Sequence, residues 1–325
     1  MNAARIIVFF LLRWLTFDYY FQRKRQQGKV LILLFHKVSS NNVTHYKPVP
    51  TEVFEKITSY FKRKGHFTSF SKLSQKQYSK KQLNVILSFD DNHKELITNV
   101  LPVLKKYNVS ANINIDTETL ETGLPQDNIR VYNALNHSSE SHYSNSTYFD
   151  KPISLKQNEV EKVFSTKLGS LKKEERRSFS NDVCSKLIDS NLSFLDQVGN
   201  KNDVELFQKY GCEIGSHSHS HCMFDNEDEE ILKMELTTSK NILENISGNS
   251  IDIIAFPNGR TNNEINQITT SLGFKTLLLT EGERDSFNVI DDQKNQFFRL
   301  NMYHQSFNES LAYVFGMHNL LKKLF

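Results

Sequence analysis

The sequence predicts an α/β barrel, and three observations carry that expectation. Short apolar runs rich in Val, Ile, Leu and Phe recur at residues 30–35, 85–89, 109–116, 212–217, 251–259 and 275–280. Runs of this length and composition read as strands buried on both faces, as in a parallel sheet. Helical patterns with their own start and stop signals separate them. Several runs also end in a polar or ionisable residue, among them His36, Asp90 with Asp91, Asp116 and His217. Barrels of this class gather their chemistry at the carboxyl ends of the strands.

Taken in order, the first strand is "VLILLF" at 30–35. Thr51 precedes the helical pattern "EVFEKITSYFKRK", and Gly65 stops it. The strand at 85–89 runs directly into Asp90, Asp91 and Asn92. Neighbouring side chains of a strand point to opposite faces, so both carboxylates reach one site only if the backbone turns. Asn92 supplies such a turn, because Asn tolerates left-handed geometry. The next helical pattern, 92–108, carries Pro102, which is expected to kink it. After the strand at 109–116 the rhythm breaks. Residues 123–200 are rich in Ser, Asn, Lys and Glu with helical patches such as 180–195. They read as a mostly helical insertion, either a lid over the substrate or a surface elaboration without a role.

Beyond the insertion, "NDVELFQKYG" is a helix stopped by Gly211, followed by the strand at 212–217. Residues 226–248 begin acidic, as the helix dipole favours, and finish at Gly248. Thr261 and Glu264 have capping-box spacing ahead of "INQITTSLG". The expected organisation is an N-terminal amphipathic segment, 1–28, and one barrel, 29–325, interrupted by 123–200.

At 325 residues the chain can bury a large core. A net charge of +3, spread along the chain, excludes a nucleic-acid partner as the reading of choice. Cys184, Cys212 and Cys222 are an odd count without Cys-x-x-Cys spacing, so no disulfide framework is indicated. The apolar run at 6–12 is broken by Arg13 and is too short to span a bilayer, which needs about 20 residues. No small-residue cleavage site follows it. Trp14, Tyr19, Tyr20 and the basic 22–25 suit peripheral membrane contact through residues 5–25; a helix packed on the barrel is the competing reading. The location is accordingly cytoplasmic or peripheral at a membrane.

The stretch "GSHSHSHCMF" at 215–224 holds three of the eleven histidines. From the residues alone it is a solvated polar loop, a His-x-His metal pair, or a His217–His221 pair one helical turn apart. The adjacent carboxylates Asp90 and Asp91 are costly to bury without a cation, which makes a metal their natural partner.

These motifs resemble those of the polysaccharide deacetylases, the family of chitin and peptidoglycan deacetylases. "SFDDN" is similar to its Thr-Phe-Asp-Asp-Gly motif, "HSHSH" to its His-Ser/Thr-x-x-His motif, and "AFPNG" to its Arg-x-Pro-Tyr/Phe-Gly motif. "LLFHKV" looks like its first strand, and "GFKTLLLT" with "FFRLNM" like its last ones. The motifs fall in the family's order over about residues 29–303. The resemblance implies a distorted (β/α) barrel and a hydrolase that removes acetyl groups from N-acetylated sugars of a glycan or glycolipid. It implies a divalent metal, zinc by expectation, on Asp91, His217 and His221, with His219 at a variable position. Two His and one Asp leave a coordination position for water.

By the same resemblance Asp90 is the general base, and a backbone N–H near Asn258 meets the oxyanion after the turn at Pro257 and Gly259. Two departures stand out. The family's base-orienting Arg corresponds to Ala255, so Arg260 or Arg299 would have to substitute. Its general-acid His corresponds to Thr280, which leaves His304, His219 and His36 as candidate donors, although His36 reads first as a hydrogen-bonded barrel histidine. Two alternatives remain at this stage: an inactive carbohydrate-binding member of the fold, and an O-deacetylase.

Overall fold

The computed structural model describes residues 26–40, 47–188, 196–280, 287–291 and 295–316. The expectation of membrane contact through residues 5–25 lies outside them. No helix among the described residues is long and apolar enough to cross a membrane.

Seven parallel strands close a barrel in chain order: β1 (Val30–Phe35), β2 (Asn84–Phe89), β3 (Asn112–Ile115), β4 (Glu213–Ser216), β5 (Ile253–Ala255), β6 (Thr276–Thr280) and β7 (Gln296–Asn301). Each pairs with the next, and β7 returns to β1 through Leu33 opposite Leu300. The α/β barrel expected from the alternating pattern is what forms. β3, β4 and β5 are shorter than the apolar runs that announce them, because the flanking residues turn away as loops.

Alternation along each strand divides two cores. In β2, Val85, Leu87 and Phe89 face the surrounding helices, while Ile86 faces inward with Val30, Ile32, Ile253, Ala255, Leu278 and Phe297. Phe70 and Leu73 of the short helix Phe70–Ser74 join that inner cluster. Glu213, at the start of β4, accepts the Phe70 and Ser71 N–H groups at 2.8 and 2.7 Å and fixes this plug. The apolar lower half leaves the upper half of the interior to polar side chains. Outside, helix Thr51–Lys64 buries Val53, Phe54, Ile57, Tyr60 and Phe61. Phe54 meets Phe35 and Phe89 edge-on at 5.2 and 5.6 Å. Truncating it to Ala would cost about 3–5 kcal/mol.

Two local expectations need correction. Thr51 is the first helical residue and not the cap, since Pro50 precedes it without a capping side chain. Asn262 caps helix Asn263–Ser271 by accepting the Ile265 N–H at 2.9 Å, while Thr261 bonds Asn266 instead of closing a box with Glu264. Asn one residue later outcompetes Thr as the cap. Pro102 sits in the first turn of helix Leu101–Tyr107, directly after a π-helical stretch at Leu96–Val100. The helical run 96–107 thus changes from π to α geometry at the proline, a local irregularity of the kind expected there.

Within the stretch expected as an insertion lie helices Asp127–His137, Val160–Ser170 and Lys173–Leu187. They share a separate apolar cluster built on Val131, Phe164, Phe179 and Val183, with the Phe164 and Phe179 rings stacked at 5.9 Å.

Candidate active site

The site lies where the strands end. A cavity of about 560 Å³ is lined by His36, Asp90, Asp91, His217, His221 and Asn258, with Lys37, Asn301 and Tyr303 on its walls. Asn128 and Tyr132, both from helix Asp127–His137, line it as well. Asp90 follows β2 and His217 follows β4, so both are carried on the barrel frame.

The backbone turns where the adjacent carboxylates require it. Asp91 itself adopts φ +73° and Asn92 φ +47°, so two consecutive left-handed residues bring Asp91 round beside Asp90. Ser218 and His221 are also left-handed, at +68° and +55°. Non-glycine residues in this region cost on the order of 1–3 kcal/mol each and persist only where the surroundings hold them. His217 and His221 thus converge through a bent loop, not through the helical turn that their spacing allowed.

Asp91 Oδ1 lies 3.4 Å from His217 Nε2 and 3.5 Å from His221 Nε2. One ligand atom from each residue falls within 4.8 Å of the others, and all three residues are buried. Asp91 Oδ1 has no hydrogen-bond partner despite that burial. His217 Nδ1 is 2.7 Å from the Ala255 carbonyl, which can only accept, so Nδ1 carries a hydrogen and Nε2 is the nitrogen turned toward Asp91. Both carboxylates concentrate negative charge on the His217 ring, at 3.8 Å from Asp90 and 3.4 Å from Asp91. Burial lowers the proton affinity of His217, but Asp90 and Asp91 overcome it and push the ring up to about 9. Burial and the neighbouring His217 hold His221 down at about 3. The donor set therefore fits a divalent cation in size, orientation and charge.

Asp90 is held from the opposite side. Its Oδ1 accepts from Arg299 Nη1 at 2.7 Å and from Asn114 Nδ2 at 2.8 Å, while Oδ2 lies 3.8 Å from His217 Nε2. Burial raises this carboxyl, but the charges of Arg299 and His217 and the Arg299 hydrogen bond outweigh it, leaving it at about 2. Arg299 is wholly buried and comes from β7, two strands round the barrel from β5, which carries Ala255. Arg260 is engaged elsewhere, with Asp225, Asn226 and the Gly169 carbonyl.

Ser88, Asn112 and Asn114 complete the network that sequence reasoning did not single out. Ser88 Oγ donates to Asn112 Oδ1 at 2.8 Å, and Asn112 Nδ2 to Asn114 Oδ1 at 3.0 Å. Gly215 makes room for this ladder, because a Cβ there would collide with Asn114 Oδ1. Asn112 and Asn114 alternate within an otherwise apolar strand, the one signal that could have marked them as inward-facing.

The proton-donor candidates separate. His36 lines the cavity and is close enough to contribute to the low proton affinity of both carboxyls. His304 lies between Tyr303 and Tyr313, with ring centroids 4.3 and 4.7 Å away, and does not line the cavity. His219 turns toward Thr117 Oγ1 at 2.9 Å and Glu121, outside the cavity wall. Asn258 lines the cavity at φ +53°, with Pro257 buried behind it. Gly259, at φ +66°, packs against Thr280 where any Cβ would clash.

The family model described as Polysaccharide deacetylase matches residues 77–277. The structure of the Streptococcus pyogenes deacetylase PplD in complex with acetate aligns with a TM-score of 0.59 at 16% identity, over 88% of this chain and 98% of that one. A polysaccharide deacetylase from Bacillus cereus aligns at 0.58 and 14% identity, over 88% and 69%. IcaB from Ammonifex degensii aligns at 0.56 and 11% identity, over 89% and 98%. At these identities the likeness is one of fold. No curated protein matches the sequence.

Proposed function

The chain belongs to the polysaccharide deacetylase family and is a hydrolase of that class, acting on amide bonds; on this premise we propose that it removes acetyl groups from N-acetylated sugars of a glycan or glycolipid with one divalent metal ion. The observation that carries the reading is a buried, hydrogen-bonded carboxylate, Asp90, beside three convergent donors at the floor of one cavity.

Asp91, His217 and His221 would hold the ion, which the nitrogen-rich set suggests is zinc. When bound, the ion polarises the acyl carbonyl and acidifies a water. Asp90 takes the proton from the attacking water through Oδ2, since Arg299 and Asn114 occupy Oδ1 and keep the carboxyl ionised and oriented. The water oxygen bonds to the acetyl carbon, and the developing oxyanion meets a backbone N–H near Asn258. The carbon–nitrogen bond then breaks, releasing acetate and the sugar amine. Of the three candidate histidines, His36 alone lines the cavity, and we assign it the proton that the leaving nitrogen requires.

The test is acetate release from a panel of N-acetylated and O-acetylated glycans by metal-loaded and chelator-treated enzyme. Metal-dependent release from an N-acetylated member is expected. Release from O-acetylated members alone would make the enzyme an esterase. Stoichiometric glycan binding with no release would favour a binding protein.

A further inference from the structure

The two histidines sit on a strained loop, and the contacts that brace it come largely from outside the barrel strands. His221 is left-handed at φ +55°, and Ser220 before it is held at both its carbonyl and its N–H. The Ser220 carbonyl accepts from Arg176 Nη2 at 2.9 Å. The Ser220 N–H and hydroxyl both donate to Glu235, each at 2.8 Å, and the His219 N–H donates to the same carboxylate at 3.0 Å. Glu235 belongs to helix Glu229–Ser247 and is wholly buried, and Lys173 Nζ meets it at 3.0 Å. Arg176 and Lys173 both lie on helix Lys173–Leu187, one turn apart along the helix that also builds the separate apolar cluster. Arg176 is 3% exposed and further steadied by Asp127 at 3.9 Å.

We propose that helix Lys173–Leu187 is a working part of the metal centre: Arg176 directly, and Lys173 through Glu235, hold the 218–221 loop in the strained conformation that aims His221. Arg176 is a positioning residue, acting through the Ser220 carbonyl. Without its N–H donors the buried carbonyl is unsatisfied and the peptide can rotate, letting His221 relax to ordinary geometry and swing its Nε2 away from Asp91. Without Lys173, the buried Glu235 carboxylate loses its counter-charge, and its grip on the two N–H groups weakens. The insertion is then neither a decoration nor only a lid. It rests one metal ligand on its own helix while its neighbouring helix supplies Asn128 and Tyr132 to the cavity wall.

This inference rests on the metal reading above, and its test separates the two. Zinc affinity of the metal-stripped full chain is measured by competition with a chromophoric chelator, with melting temperature recorded on the same samples. Wild type, Arg176→Met, Arg176→Lys, Lys173→Met and Arg260→Met are compared. Arg260 bonds Gly169 and Asn226 across the same seam without touching the loop, so it controls for general loosening. Arg176→Met is expected to weaken zinc binding about 10- to 100-fold, the range seen when groups orienting a ligand are removed. Arg176→Lys should recover part of it, Lys173→Met should lose several-fold, and Arg260→Met should keep wild-type affinity even where its melting temperature falls. Should Arg176→Met not fold, the partly exposed Lys173 variant carries the test alone. Wild-type affinity in both variants, or equal losses in the Arg260 control, overturns the proposal. A wild type that binds no zinc overturns this proposal and the metal reading together.

Discussion

Replacing Arg299 by methionine removes the only guanidinium among the described residues that touches Asp90, and it does so without opening a large cavity. The two groups meet at 2.7 Å with side chains 0% and 2% exposed, so solvent cannot take over. Removing one partner of a buried pair costs about 3–5 kcal/mol, which corresponds to a fall in melting temperature on the order of 10 °C. The larger signature is in pH dependence. Asp90 stands at about 2 against an ordinary 3.8, so folding gains roughly 2 kcal/mol from this group above the ordinary carboxylate range and loses it as pH falls through about 2. In the variant burial remains and its main counterweight is gone, so the carboxyl must rise above its ordinary value. A base that wild type keeps ionised throughout the working range then takes up a proton within it. The assay is the pH profile of kcat/KM for acetate release. Wild type should show no limb from Asp90 down to the pH at which metal is lost, whereas Arg299→Met should show a new acid limb above about pH 4. Arg299→Lys, which keeps the charge, should fall between. Superimposable profiles for Arg299→Met and wild type would refute the role given to Arg299.

Two further outcomes follow from the same geometry. Asp90→Asn keeps the shape and the donor set but cannot accept a proton, so turnover should fall by about two to four powers of ten while metal affinity changes far less than in Asp91→Asn; metal titration and kinetics on both variants check this. Gly215→Ala places a Cβ against Asn114 Oδ1 and should push that amide off Asp90, lowering kcat with KM nearly unchanged, as steady-state kinetics would show.

Features that depend on neighbouring residues were legible in the sequence. The barrel strands announced themselves through runs whose burial on both faces is complete in β1 and β2. The Asp90–Asp91 turn followed from local stereochemistry, although the first left-handed residue is Asp91 itself and not Asn92 alone. What stayed hidden is set by pairing across the barrel. The choice of Arg299 over Arg260 as the partner of Asp90 follows from β7 closing onto β1, which lies beside β2, and nothing within residues 296–301 encodes that closure. Asn114 became a support for the base only once β4 placed Gly215 opposite it. Lys173 and Arg176 sit in the charge run 172–177, and such a run looks the same whether it meets water or a buried carboxylate and a carbonyl on another element. His304, a donor candidate by type, lies between two tyrosines that themselves line the cavity, a placement no local pattern announces.

The central claim is that one cation sits among Asp91, His217 and His221, beside Asp90. Crystals of the full chain loaded with zinc, with anomalous data collected at the zinc edge, test it most directly. The account predicts a single strong peak about 2.0–2.2 Å from Asp91 Oδ1, His217 Nε2 and His221 Nε2. A peak shared by His217 and His219, a peak remote from Asp91, or no peak at saturating zinc would contradict it.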